Sequence, residues 1–193
     1  AMAVGYVDAS TIQGAFSRAH YVSDSLALMS FSDVAYSHES NLNLKDGSLD
    51  HVPASEITLS NGFGAYVQNS SLAAAKSAVF SVDHSSVNAT DSDLTFIDHA
   101  QVKVDNSDLA FVQSSRLDAL SSQVRFLNES HLISNRSDIH HLTHSKAVLA
   151  DSMVYNVSDS TLQGSGIFLL GGKRHLIQGH DYLGLLGNDH MVQ

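Results

Sequence analysis

Apolar residues recur along this chain with a fixed period. From Ser85 to Leu120 each unit opens with a serine (once Ala100), then any residue, then a branched apolar residue. Those apolar residues are Val87, Leu94, Val102, Leu109 and Leu117, spaced 7, 8, 7 and 8 apart. The full period is therefore 15 residues in two unequal halves, an A half of 7 and a B half of 8. The A column runs from Ile12 through Ala27, Leu42, Ile57, Leu72, Val87, Val102, Leu117, Leu132, Ala147, Leu162 and Ile177 to Val192. The B column runs from Ala19 through Val34, Leu49, Gly64, Val79, Leu94, Leu109, Val124, Ile139, Val154 and Leu169 to Gly184. Unbroken self-similarity of this kind is the signature of a solenoid.

The expected fold is all-β: a parallel β-solenoid, or β-roll, whose 15-residue coil holds two short strands (7+8). Residues 1–9 form a lead-in or end strand, residues 10–166 the regular roll, and residues 167–193 apolar, glycine-containing C-terminal coils or a cap. Strict strand alternation puts the serine, the first apolar residue and the residue two later on one inner face. In the A halves that third position holds Leu44, Leu59, Ala74, Ala89, Val104 and Ala119. In the B halves it holds Tyr21, Tyr36, Tyr66, Phe96, Phe111 and Phe126, so the expected core sets aromatics against smaller groups.

One column fits alternation badly. Three residues after the B core position come Val22, Val52, Val67, Val82, Ile97, Val112, Leu127, Leu142 and Val157. Either the extra residue of the B half bends the chain and turns this column inward, or the column is an apolar stripe for a partner chain. The recurrent serine is expected at an inward corner, where a small hydroxyl bonds the local backbone. Asn61-Gly62-Phe63-Gly64 reads as a local bulge, and Pro53 as a turn residue between halves.

Composition narrows the partners. The 193 residues carry a formal net charge of −10, which argues against nucleic acid or an anionic membrane as the main partner. Cysteine is absent, so no disulfide or thiol chemistry is available. No apolar run reaches membrane-spanning length. Ala1-Met2-Ala3 reads as an expression remnant with targeting signals trimmed.

Candidate chemistry is sparse. His84 and His99 stand one period apart beside Asp83 and Asp98, and His140, His141 and His144 cluster. A solenoid turn presents such residues in a row, whereas a metal needs converging ligands. No metal, cofactor or catalytic residues are therefore expected. Five Asn-x-Ser/Thr triplets, beginning at Asn69, Asn88, Asn128, Asn135 and Asn156, arise from composition in a serine-rich repeat.

The half-unit Ser-x-apolar-x-small resembles the head repeat of YadA-like trimeric autotransporter adhesins. The matching stretches are Ser85-x-Val87-x-Ala89, Ser115-x-Leu117-x-Ala119, Ser70-x-Leu72-x-Ala74 and Ser160-x-Leu162-x-Gly164. Gly172-Lys173-Arg174-His175 and Gly187-Asn188-Asp189-His190 echo that family's Gly-rich Asn/His segments. The departures are the alternating 7 and 8 spacing, bulky residues in place of glycine, and the lack of a neck or anchor. The resemblance implies a left-handed roll that associates as a homotrimer. It also implies a non-enzymatic head of a bacterial surface adhesin, binding host matrix or another surface. The other readings are a structural spacer of a phage fibre or secreted protein and, more distantly, a polysaccharide-active enzyme. Apolar residues at outward register positions near both ends mark the expected oligomer interface: Leu26, Leu28, Phe168, Leu170, Leu183 and Leu185. The tail folding back on the roll is the alternative use of the last four.

The register makes one direct prediction. Leu109→Asp buries an unpaired charge and is expected to cost about 3–5 kcal/mol, whereas Asp108→Lys changes stability by less than about 0.5 kcal/mol. Equal shifts in melting temperature would refute the inward and outward assignment.

Overall fold

The computed structural model describes residues 2–15, 17–183 and 187–192. The chain forms two compact units, residues 1–95 and 96–193. Each is a parallel β-solenoid with 15-residue coils, and no helix occurs among the described residues. In the first unit, the A strands Asn41–Lys45, Glu56–Ser60 and Ser71–Ala75 stack with Leu42 on Ile57 and Ile57 on Leu72. In the second, Gln101–Asp105, Arg116–Leu120 and His131–Asn135 stack with Val102 on Leu117 and Leu117 on Leu132. The B strands follow the same register, as in Leu109 on Val124 and Val124 on Ile139. Every partner lies 15 residues away, so one coil repeats the pattern of the last.

A strands are five residues long and bury their second and fourth positions, as simple alternation requires. B strands are six residues long and bury their second and fifth positions. Two consecutive outward residues separate those two inward ones. The extra residue of the B half therefore reverses the parity of the strand, which turns Val22, Val52, Val67, Val82, Val112, Leu127, Leu142 and Val157 into the core. The same reversal overturns the expected aromatic core. Tyr66, Phe96, Phe111 and Phe126 are 43–47% exposed, and they stand on the outer face. The buried lining is mainly aliphatic, with Ser37 and Ser134 the hydroxyl-bearing members of its inner columns; Leu42, Leu44, Leu109, Leu117 and Leu132 are fully covered.

The corners explain the serines. In coil after coil, the residue before the inward serine holds a left-handed backbone conformation: Asn69 (φ 49°), Lys76 (φ 50°), Ser121 (φ 48°) and Arg136 (φ 51°) are examples. Such a bend leaves the next N–H directed along the stack, where no strand partner can reach it. The serine of the following coil supplies the acceptor. The N–H of Ser55 donates to Ser70 Oγ (3.0 Å), that of Ser70 to Ser85 Oγ (3.1 Å) and that of Ser107 to Ser122 Oγ (3.2 Å). Each hydroxyl in turn donates to the carbonyl two residues before it, as Ser122 does to Leu120 (2.6 Å) and Ser70 to Gln68 (2.7 Å). The sequence expectation of a serine bonding its own turn is thus met, and a second bond between coils is added.

Gly47 and Gly62 take two serine positions for a steric reason. A Cβ on Gly47 would lie 2.2 Å from the Ser32 carbonyl oxygen, and one on Gly62 would lie 2.6 Å from the Gly47 oxygen. The expected bulge at Asn61–Gly64 does not form. Phe63–Gln68 is a regular strand, paired through Phe63 and Gly64 to Ser48 and Leu49 on one side and to Ala78 and Val79 on the other. Pro53 is the last residue of the B strand Ser48–Pro53, and its carbonyl accepts from Ser55 Oγ (3.0 Å).

The pattern changes at Gly164. The strand Thr161–Leu169 runs through the usual corner, with Gly166 (φ 63°) replacing the left-handed residue and buried Ile167 replacing the serine. At Gly164 (φ 142°) a Cβ would fall 1.8 Å from the Leu149 oxygen. Ile167 and Leu169 are buried, whereas Phe168 and Leu170 are half-buried.

Two stability outcomes follow. Ser122→Ala strands the buried Ser107 N–H and is expected to cost about 1–3 kcal/mol in urea unfolding, with faster amide exchange at Ser107. Ser121→Ala, exposed next door, stays within about 0.5 kcal/mol. Conversely, Ser37 sits fully buried in the Val22–Val52 column with no partner for its hydroxyl. Ser37→Val is expected to stabilise the fold by roughly 1–2 kcal/mol, read from the same unfolding curves.

Candidate binding face

The parity reversal in the B half lifts two neighbouring residues of each coil onto the outer face, and the second of these is usually aromatic. In the first unit Tyr6, Tyr21 and Tyr36 stack with ring centroids 4.9 Å apart and planes within 10°. His51 leans on Tyr66 at 4.6 Å and 32°. At the next coil Ser81 holds the column, and Phe80 beside it meets Tyr66 edge-on at 6.2 Å and 81°. In the second unit Phe96, Phe111, Phe126 and His141 stack at 5.1, 5.0 and 4.8 Å, with planes within 8°. His140 stacks on Tyr155 at 4.7 Å in the adjacent column.

These spacings come from the backbone. Parallel strands lie about 4.8 Å apart, so identical residues in successive coils are held at stacking distance without any choice by the side chains. The consequence for recognition is specific. A ring inside the run, such as Tyr21 or Phe111, has both faces covered by its neighbours and offers its edge. An aromatic platform for sugars would have to offer a free ring face. The two runs also differ chemically: a tyrosine carries a hydrogen-bonding group on an apolar ring, whereas phenylalanine presents hydrocarbon alone. The Tyr6 phenol is pushed above its ordinary pKa, first by loss of solvent around the ring and then by the negative charge of Asp8, with Tyr21 and Asp24 adding to it.

Phe96 is unusual in its backbone. It holds φ 54° inside what is elsewhere a continuous B strand, and the local strands shorten to Asp93–Leu94 before it and Ile97–Asp98 after it. Such a conformation in a bulky residue costs on the order of 1–3 kcal/mol and often accompanies a functional surface. The ring nevertheless stays in line with Phe111.

The histidines singled out in the sequence fall into separate groups: one ligand atom each of Asp83, His84 and His99 lie within 4.8 Å of one another, a grouping that could hold a metal ion, whereas His140, His141 and His144 do not join them. His84 lies against Asp83 (2.6 Å) and His99 against Asp98 (3.0 Å), each beside its own chain neighbour. His140 and His141 stack on Tyr155 and Phe126, while His144 approaches Asp159 at 3.9 Å. Of the residues expected at an oligomer interface, Leu26 and Leu28 stand on the outer A face of the first unit, 38% and 37% exposed. Leu183 closes the strand Gly172–Leu183, its side chain lies outside the described part of the structure, and so does Leu185 as a whole.

Sequence reasoning named the aromatic column but set it inside. Its members carried the signal that would have corrected this: His51, Ser81, His141 and Asn156 share the column with the rings, whereas the rival column three places after the core position is aliphatic in nearly every coil.

No family model matches the sequence, and no curated protein matches it. Among solved structures, the chain is similar to the surface protein and adhesin PfbA of Streptococcus pneumoniae, with a TM-score of 0.34 and 7% identity over 98% of this chain and 89% of that one. It is also similar to HetL, a pentapeptide repeat protein from the cyanobacterium Nostoc (TM-score 0.37, 10% identity, 86% and 85% covered). A third is a tailspike of an E. coli bacteriophage solved with a pentasaccharide (TM-score 0.34, 6% identity), where the match covers 95% of this chain and 56% of that one. At these scores the likenesses carry no inference about ligand or activity.

Proposed function

We propose that this chain is a non-enzymatic binding module of a bacterial surface protein, an adhesin head that holds host matrix or another surface through its outer face. The observation that supports this reading is the tyrosine run of the first unit. Tyr6, Tyr21 and Tyr36 form an evenly spaced row on the outer face of the sheet, Tyr6 exposed and Tyr21 and Tyr36 half-buried, and little conformational entropy remains to be lost when a partner settles on it. Tyrosine is enriched at protein interfaces because it combines a large apolar area with a hydrogen-bonding tip. Stacking holds the rings in place before any ligand arrives, and such preorganisation lowers the cost of association.

A structural spacer is the second reading. Its support is the regularity of the coils: core columns and corner serines repeat with little variation, as a passive rod requires.

Binding to immobilised collagen, fibronectin and laminin separates the two. The adhesin reading expects micromolar binding to at least one of them. Tyr21→Ser/Tyr36→Ser is expected to reduce that binding at least tenfold while keeping the β-rich circular dichroism of the parent. Absence of binding to all three, with the fold intact, assigns the spacer role.

A further inference from the structure

Two aspartate–histidine pairs occupy the same turn in successive coils. The B strand Ala78–Asp83 ends on Asp83, and the strand Ile97–Asp98 ends on Asp98 one period later. The residues that follow, His84 (φ 47°) and His99 (φ 48°), hold the left-handed turn position. A single column with members about 4.8 Å apart offers a metal only a row. Two neighbouring columns over two coils offer a square, and three of its four members converge: ligand atoms of Asp83, His84 and His99, one from each, lie within 4.8 Å of one another. We propose that these three side chains bind one divalent transition-metal ion of the zinc type, with Asp98 beside them as a supporting carboxylate.

The donor set selects the ion. Imidazole nitrogens with one carboxylate oxygen suit zinc, cobalt, nickel or copper, whereas calcium and magnesium take oxygen ligands. Zinc bonds of about 2.0–2.1 Å in a tetrahedron set ligand atoms roughly 3.3–3.5 Å apart, so these atoms have at most about 1.5 Å to close. The side chains of His84 and His99 are 56% and 53% exposed and that of Asp83 is 36% exposed. Rotation about their side-chain bonds supplies the movement and leaves the core undisturbed. Three protein ligands leave a fourth position open to water or to a group on a partner.

The charge at this turn points the same way. Asp83 Oδ2 accepts a hydrogen bond from Gln68 Nε2 (3.3 Å), and its Oδ1 lies 2.6 Å from His84 Nδ1. Asp98 Oδ1 lies 3.0 Å from His99 Nδ1, yet it is buried and makes no hydrogen bond. The residues flanking the two pairs along their columns are Gln68, Asn69, Gln113 and Ser114, and none of them is a lysine or arginine. Two carboxylates therefore share the turn with imidazoles alone, and a dication held by those imidazoles supplies the positive charge. A carboxylate beside a metal-bound imidazole also fixes the orientation of the ring. The arrangement is not repeated at His51, which meets Asp50 at 3.2 Å but has Tyr36 and Tyr66 as its column neighbours.

Calorimetric titration of the full chain with zinc chloride at neutral pH tests the site. The expected result is one zinc ion bound at this turn with a dissociation constant on the order of 10 µM, weaker than closed four-ligand sites. His84→Asn and His99→Asn are each expected to weaken that binding by roughly tenfold or more. Circular dichroism stays unchanged, because asparagine already holds this backbone conformation at Asn69 (φ 49°). His140→Asn/His141→Asn leaves the site intact, and calcium chloride gives no comparable binding. On the parent chain, substoichiometric cobalt(II) is expected to broaden the ring signals of His84 and His99 in magnetic resonance spectra before those of any other histidine. That measurement reads the site without a substitution. The Tyr21→Ser/Tyr36→Ser chain takes up zinc like the parent, so loss of matrix binding and loss of metal are separate readouts. No zinc uptake, uptake indifferent to both His84→Asn and His99→Asn, or a cobalt effect that appears first at other histidines would overturn the proposal.

Discussion

Buried backbone N–H groups must find acceptors, and in this chain the hardest ones to satisfy sit at the corners. A left-handed residue followed by an inward turn removes the next amide from both neighbouring strands. The hydroxyl of the serine one coil later is the group that reaches it. That single bond constrains the rest. It favours a small side chain with both donor and acceptor capacity at one place in most half-coils, with Gly47, Gly62, Ala100 and Ile167 among the departures. It fixes the spacing between coils, because the acceptor arrives only if the register is 15. It also keeps the corner tight enough for aliphatic side chains from the two halves to meet across a thin core. Where the corner is tighter still, as at Gly47 and Gly62, even the serine Cβ has no room, and glycine replaces it.

The left-handed corner residues show how strong that constraint is. Asparagine and aspartate tolerate the conformation, and Asn61, Asn69, Asp91, Asn106 and Asp151 accept it readily. Phe31, Lys76 and Arg136 do not favour it, yet they hold it too. Each gives up on the order of 1–2 kcal/mol relative to its preferred backbone, offset by corner hydrogen bonds and by the burial of the flanking core residues. Side-chain identity at the corner is thereby freed to vary, which is why histidine, glutamate, lysine and alanine appear there without altering the coil.

The period, the core columns and the inward serines were legible in the sequence because each is a property of spacing alone. The orientation of the aromatic column was not, because alternation counts residues and cannot see where a strand changes parity. The B half has one residue more than its two-strand geometry needs, and only the three-dimensional path decides which pair faces out. Two columns competed for the core; the aliphatic one won, since Val, Ile and Leu pack against the neighbouring coils and leave no polar atom buried. Ser37 is the exception within that column. The candidate site was hidden for the same reason: the residues were in view, but on the wrong side of the sheet.

The direction of the corner bond carries one further meaning. Ser70 N–H looks forward to Ser85, and Ser107 N–H to Ser122; the amide just before each serine also looks forward, as Asn69 does to the Asp83 carbonyl and Asn106 to the Leu120 carbonyl. Every coil is therefore completed by the one that follows it in the chain. A polypeptide that emerges amino end first always carries an unfinished final corner, with two bare donors waiting for the next segment. Growth by addition at that open corner is a zipper with a built-in direction. It lets each newly arrived coil find its place on a template already formed, without waiting for the whole chain to be made.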